Sequence, residues 1–232
     1  MDQAAKVAAF QKLHAEPGCF VIPNPWDLGS ARMLEAMGFK ALATTSAGYN
    51  LSRGQVDGDA TVEDHFAHFR ELCAGVDVPI NADFENAYAD TAEGVADNIR
   101  LAAGTGLAGG SLEDYDGTAI YDMAEAVDRL AAAVETARAA NPPFVLTARA
   151  ENLIRGNPDL DDTIKRLQAY QEAGADVLYA PGLKTAEEVR AVVSSVDRPV
   201  NVLGGISGMT LTYQEMAELG VKRISVGGSL FR

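Results

Sequence analysis

Eight short apolar or β-branched runs alternate with seven segments of helical periodicity, and glycines stand where several of those helices should stop. These observations predict an α/β fold, a (β/α)8 TIM-type barrel, as one domain over residues 1–232. Strands and helices that alternate from end to end call for a parallel sheet, because parallel neighbours need a long crossover connection. Eight regular units strain an open doubly wound sheet, which is the competing arrangement. No linker or low-complexity stretch divides the chain.

Each element has its own signal. Met1 to Phe10 reads as an amphipathic helix. Phe20–Ile22 is the first strand; the helix Ser30–Met37 follows and stops at Gly38. Ala41–Thr45 is the second strand, followed by the helix Val62–Ala74. Val78–Ala82 is the third, and Thr91 is the N-cap expected for the helix Ala92–Ala103. Gly109–Leu112 is the fourth, with Met123–Ala140 as its helix. Phe144–Thr147 is the fifth; Asp161 caps Asp162–Ala173, and Gly174 ends it. Val177–Ala180 and Val200–Leu203 are the sixth and seventh, followed by the helices Ala186–Ser194 and Tyr213–Leu219. Arg223–Val226 is the eighth strand. The given sequence stops at Arg232, so the final helix is absent from it. A further helix or a partner chain is therefore expected to cover the apolar faces of the first and last strands.

Hydrophobic residues make up 47% and charged residues 22%, an ordinary globular balance. The net charge of −14 argues against nucleic acid, which needs a basic surface. An anionic substrate must then find a local positive centre, a metal or an arginine. Cys19 and Cys73 lack CxxC partners, which argues against a disulfide framework or a zinc site. No apolar run approaches the ~18 residues of a membrane span, and no signal peptide is evident. The expected setting is cytoplasmic, without membrane or nucleic-acid partners.

In such barrels the chemistry lies at the C-terminal ends of the strands. There the sequence places Trp26 and Asp27, then Thr45, Ser46, Ala47 and Gly48, then Asp83 and Glu85, Glu113 and Asp114, and Arg149 and Glu151. Carboxylates placed together repel, so they hold a hard cation or share a proton. Asp83, Glu85 and Glu113 are the candidate metal ligands, for Mg2+ or Mn2+. Asp83 and Glu85 point the same way by strand alternation. Asp114 and Asp116 read better as caps or surface ion partners. Arg149 can grip a substrate carboxylate with two parallel hydrogen bonds, pair with Glu113 or Glu151, or do both. The hydroxyls and backbone N–H groups of Thr45–Gly48 suit carboxylate or phosphoryl oxygens. The polar loop Arg53–Gly58 can act as a lid carrying Asp57. His65 and His68 read as packed or solvated on a helix remote from the strand ends.

With these residues in place, the chain resembles the isocitrate lyase and phosphoenolpyruvate mutase superfamily over nearly its whole length. The likeness is carried by Pro23–Asp27 with Ser30-Ala31-Arg32, Thr44–Gly48, Asn81–Tyr88, Ser111–Asp114, Thr147–Glu151 and Glu218–Ser225, in that order and spacing. The resemblance implies Mg2+ near Asp83, with Glu85 and Glu113 holding metal waters. It implies that Arg149 and the Thr45–Ala47 turn, beside Trp26 and Asp27, bind a 2-oxo acid or its enolate. By its place on the mobile loop, Asp57 matches an Asp of the mutase-like branch. Many members exchange the eighth helix between subunits, so a homodimer or homotetramer is expected. The Lys-Lys-Cys-Gly-His loop of the lyases has no counterpart: Asp114–Asp122 holds no Cys, Lys or His. The sequence therefore points to a Mg2+-dependent lyase acting on a small 2-oxo or 2-hydroxy dicarboxylate through an enolate. Asp57, Arg149 and Glu113 are the expected catalytic residues. The alternatives are phosphorus–carbon chemistry as a mutase or phosphonopyruvate hydrolase, oxaloacetate decarboxylation or hydrolysis, and a non-catalytic oxo-acid binding protein.

Overall fold

The computed structural model describes residues 1–232. Eight strands form one parallel sheet: β1 (Phe20–Ile22), β2 (Leu42–Ala43), β3 (Ile80–Asp83), β4 (Gly109–Glu113), β5 (Val145–Arg149), β6 (Val177–Tyr179), β7 (Val200–Leu203) and β8 (Arg223–Ser225). The order is β1-β8-β7-β6-β5-β4-β3-β2, a nearly closed barrel. The remaining seam is joined where Ala43 N–H donates to Pro23 O at 3.0 Å and Asn24 Nδ2 donates to Thr44 O at 2.8 Å.

Nine helices surround or plug the barrel: α1 (Gln3–Ala15), α2 (Leu28–Ala36), α3 (Ser46–Ser52), α4 (Val62–Gly75), α5 (Ala92–Ala103), α6 (Met123–Ala139), α7 (Leu160–Ala173), α8 (Ala186–Ser194) and α9 (Tyr213–Glu218). Asp27, Thr61, Thr185 and Thr212 each close a capping box, which satisfies two orphan backbone donors per helix start. None of the helices is long and apolar enough to cross a membrane. After β8 the chain makes only a short 3-10 turn, Gly227–Leu230.

Three helical features differ from the expectation. The cap of α7 is Asp159, which accepts from Asp162 N–H, while Asp161 lies in its first turn. The first helix runs on to Ala15, past Phe10. Ser46–Ser52, read as a turn, is helical. Thr45 caps it by accepting from Gly48 N–H at 3.2 Å, and the buried Asn50 ties it down through Ser46 O and Ala60 N–H. The same residues serve turns and helix starts, so composition alone does not separate them.

Most of the apolar core lies between the helices and the outer face of the sheet. A second cluster closes the N-terminal end of the barrel, where Val7 and Phe10 of α1 pack on Ile22, Ala108, Val145 and Val177. Only glycine fits at position 109 in this layer. A Cβ there would lie 2.4 Å from Val145 O and 3.1 Å from the Phe10 ring. Lys6 anchors α1 by donating to Cys73 O and Val76 O, both at 2.7 Å, the carbonyls left open at the end of α4.

Above the plug the barrel interior turns polar. Arg223 donates to Asn201 Oδ1 at 2.8 Å, Thr147 Oγ1 at 3.1 Å and His14 Nε2 at 3.3 Å. His14 donates from Nδ1 to Phe10 O at 2.8 Å, so these contacts assign the neutral Nδ1–H tautomer. Burial and the Arg223 charge pull the His14 pKa from 6.5 down to about 3. A neutral imidazole in the fold that charges freely when unfolded costs stability on acidification. The loss starts as pH falls below the unfolded value of 6.5 and continues towards 3. His14→Gln should remove about 1.4 kcal/mol per pH unit of that slope within the window. Urea titrations of both proteins between neutral and mildly acid pH should show the gap; parallel profiles would refute it.

Candidate active site

The C-terminal ends of the strands open into a cavity of about 400 Å³. The parallel register sets its chemistry. Asp83 ends β3, and Glu113 and Arg149 are paired residues at the ends of β4 and β5. Arg149 Nη1 lies 2.6 Å from Asp83 Oδ1 and 2.8 Å from Glu113 Oε1, and its Nη2 lies 2.8 Å from Glu151 Oε1. The guanidinium also sits over the Tyr179 ring, 4.9 Å from its centre. Asp83 Oδ2 accepts from the Ser46 backbone N–H at 3.0 Å and its hydroxyl at 3.2 Å. Thr44 Oγ1 accepts from the Asp83 N–H at 2.8 Å.

The segment after β3 is strained. Glu85, Ala87 and Tyr88 hold φ values of 47°, 63° and 53°, the left-handed region that non-glycine residues rarely adopt. Neighbours hold them there. Glu113 N–H donates to Glu85 O at 2.8 Å, Asn98 Nδ2 to Ala87 O at 2.8 Å, and Tyr88 N–H to Asn86 Oδ1 at 3.0 Å. The turn swings the Glu85 side chain into the cavity. Burial, Asp83 and Asp57 push its pKa up to about 7. Glu113 is buried, and burial raises its pKa well above the usual carboxylate range although Arg149 opposes the shift.

Asp83, Glu85, Glu113, Arg149, Thr45, Ser46, Ala47 and Asp57 all line this cavity. Asp57 is exposed as a residue, but its carboxyl faces inward; burial and then Asp83 raise its pKa. Trp26 and Asp27 are not brought to the cavity. Asp27 caps α2 by accepting from Ser30 N–H at 2.7 Å, and Trp26 packs edge-on against Phe231. The start of α2 takes up what sequence position alone suggested for substrate. Asp114 is structural: it accepts from Tyr170 OH at 2.6 Å, Glu151 N–H at 2.8 Å and Arg166 Nη1 at 3.0 Å.

Three participants escaped the sequence reading. His65 was placed on a helix remote from the strand ends, yet its ring stacks on Tyr88 at 4.7 Å and its Nε2 lies 3.9 Å from Glu85 Oε1. Tyr179 backs Arg149. Arg155 reaches Glu151 Oε2 at 3.2 Å and Glu113 Oε2 at 3.4 Å. Only its position four residues after Glu151 signalled the contact with Glu151, and nothing signalled the one with Glu113.

These residues fit a hard divalent cation in donor chemistry. The donors are carboxylate oxygens, acids outnumber arginines around the cavity, and Glu85 Oε1 is buried without a hydrogen-bond partner. No three acid or imidazole side chains stand together at ligand distances.

Fold and site together define a TIM barrel of the enzyme kind, with its polar groups gathered at the C-terminal mouth. The family model described as phosphoenolpyruvate phosphomutase matches residues 10–232, and the chain belongs to that family, within the isocitrate lyase/PEP mutase superfamily. A crystal structure of a Burkholderia cenocepacia J2315 protein, provisionally called a lyase/mutase, is 53% identical with a TM-score of 0.97, covering 99% of this chain and 84% of that one. The 2,3-dimethylmalate lyase of Eubacterium barkeri is 28% identical over 84% of this chain and 69% of its own length. An oxaloacetate acetylhydrolase solved with its product oxalate is 26% identical, with a TM-score of 0.90 over 99% of this chain and 82% of that one.

Arg149 is the only cation in contact with Asp83 and the better placed of two on Glu113 and Glu151. Arg149→Met should therefore destabilise the fold by about 3 kcal/mol or more at neutral pH, because buried carboxylates lose their partner. Those acids are then protonated more easily when folded than when unfolded, so the penalty should shrink as pH falls towards 5. Chemical denaturation at the two pH values checks the sign.

Proposed function

We propose that this protein is a Mg2+-dependent enzyme that breaks or forms a carbon–carbon bond next to the carboxylate of a small 2-oxo or 2-hydroxy acid. The observation that carries the reading is the convergence of Asp83 and Glu113 on Arg149, each within 3 Å of its Nη1, beside the Ser46 turn. Family membership supports it: superfamily members are lyases, mutases and hydrolases, and two of the relatives named above are a dimethylmalate lyase and an oxaloacetate acetylhydrolase.

Asp83, Glu85 and Glu113 would hold the metal, which supplies fixed positive charge where negative charge develops on the oxo oxygen. Arg149 is already held by three carboxylates, so its guanidinium is oriented before substrate arrives. A substrate carboxylate would take over part of that hydrogen bonding, assisted by the Ser46 hydroxyl and the Thr45–Ala47 turn. Asp57 stands at the mouth with a raised pKa, placed to take or return a proton at the carbon next to the oxo group. The inward-facing Asp57 equally favours a second reading, phosphorus–carbon chemistry, in which it would act on the phosphonyl end.

A screen of oxaloacetate, 2-methylisocitrate, isocitrate and phosphonopyruvate with Mg2+ should reveal one turned-over class. For that substrate, Asp83→Ala should lower kcat/KM about a hundred-fold or more. Asp57→Asn should lower kcat by about 100-fold while binding persists. Binding without turnover across the whole screen would instead mark an oxo-acid sensor.

A further inference from the structure

Three arginines line the cavity, and they are not equivalent. Arg149 is 12% exposed and saturated by three carboxylates. Arg223 is buried beneath, with its hydrogen bonds spent on Asn201, Thr147 and His14. Arg155 lies at the rim, with its side chain 40% exposed. Its Nε and Nη2 meet Glu151 and Glu113, and its Nη1 has no protein acceptor.

What holds Arg155 is the loop that carries no Lys, His or Cys. Its guanidinium carbon lies 3.9 Å from the centre of the Tyr115 ring, flat-on geometry in which ring and cation attract. Tyr115 is itself fixed. It pairs with Ile120 in an antiparallel bridge, and its hydroxyl donates to Gly117 O at 2.7 Å. Asp116 Oδ1 closes the turn by accepting from Thr118 and Ala119 N–H, both at 2.6 Å. Residues 114–121 thus form a small braced hairpin whose aromatic face backs a cation at the cavity rim.

We infer that Arg155, steadied by Tyr115, is a specificity-determining residue that binds the distal carboxylate of a dicarboxylate substrate. The inference rests on the proposed oxo-acid reading for the near end of the substrate only. The near carboxylate falls to Arg149 and the Ser46 turn, which lie deeper. A second anionic group, reaching outward, meets the exposed N–H groups of Arg155. Guanidinium is suited to the task because two parallel N–H groups match a carboxylate.

Lactate and malate test this, since they share a 2-hydroxy acid and differ by the distal carboxylate. Pyruvate and phosphonopyruvate form a parallel pair that differs by a phosphonate. Calorimetry with the full chain and Mg2+ should show that Arg155→Met weakens malate at least ten-fold and leaves lactate within about two-fold. Arg155→Lys should recover part of the loss, and Tyr115→Leu should give a smaller loss of the same selectivity. Arg149 still pairs with Glu113 and Glu151 when Arg155 is replaced, so the variants should keep the fold, and melting curves recorded beside the calorimetry check it. Equal weakening of lactate and malate, or no weakening of either, overturns the inference, as does a parent protein that does not prefer malate to lactate. A loss confined to phosphonopyruvate overturns the carboxylate assignment in favour of a phosphonate. The failures separate cleanly. Selective malate binding without any turnover in the substrate screen sinks the proposed reaction and keeps the clamp. Substrate turnover with the same KM in parent and Arg155→Met sinks the clamp and keeps the reaction.

Discussion

The buried contact of Arg149 with Asp83, Glu113 and Glu151 is the constraint on which the site depends. Acids drawn from three neighbouring strands or the loops after them cannot share a buried space without a counter-charge. Arg149 supplies it, and the β4–β5 register delivers Glu113 and Arg149 side by side. Once that register is set, Asp83 has a fixed place and Ser46 can reach it. The same ion network that holds the cavity wall together is the one a substrate carboxylate would enter. Stability and binding therefore draw on the same hydrogen bonds.

Charge is layered along the barrel. The lowest layer is apolar and plugged by α1. The middle layer holds Arg223 among neutral partners, and burial lowers its pKa to about 10. The upper layer is acidic, with Glu85 and Glu113 pushed towards their neutral forms. The carboxylates at the mouth suit a cation, and the arginines beside them suit an anion held against it. The chain's net charge of −14 is thus compatible with an anionic ligand, because the local arrangement rather than the total governs the cavity.

The architecture was legible because barrel strands carry strong signals. Phe20–Ile22 and Val200–Leu203 were read with their observed limits. Asp83 and Glu113 were legible because each follows an apolar run directly, and Glu85 and Arg149 because they lie within three residues of one, at the strand ends where such barrels work. Trp26 and Asp27 met the same positional test, yet they serve α2 and the Phe231 contact. Position after a strand cannot tell a residue that turns inward from one that starts the next helix. His65 was hidden by its helix: periodicity gives the buried face but not what lies across from it. That contact exists because the left-handed turn at Glu85 bends the chain towards α4. No sequence period encodes such a turn, since Glu, Ala and Tyr rarely adopt it.

The plug at the foot of the barrel bears on how the molecule is made. His14 meets Arg223 across 209 positions of the chain, so α1 has its final partner only after β8 has been synthesised. Until then the apolar side of α1, with Val7 and Phe10, has no barrel to close. Loop-closure entropy on that scale delays the step further. α1 is made before the barrel it closes and should dock after β8, which makes the nascent chain, rather than the finished barrel, the form most exposed to aggregation and to chaperones.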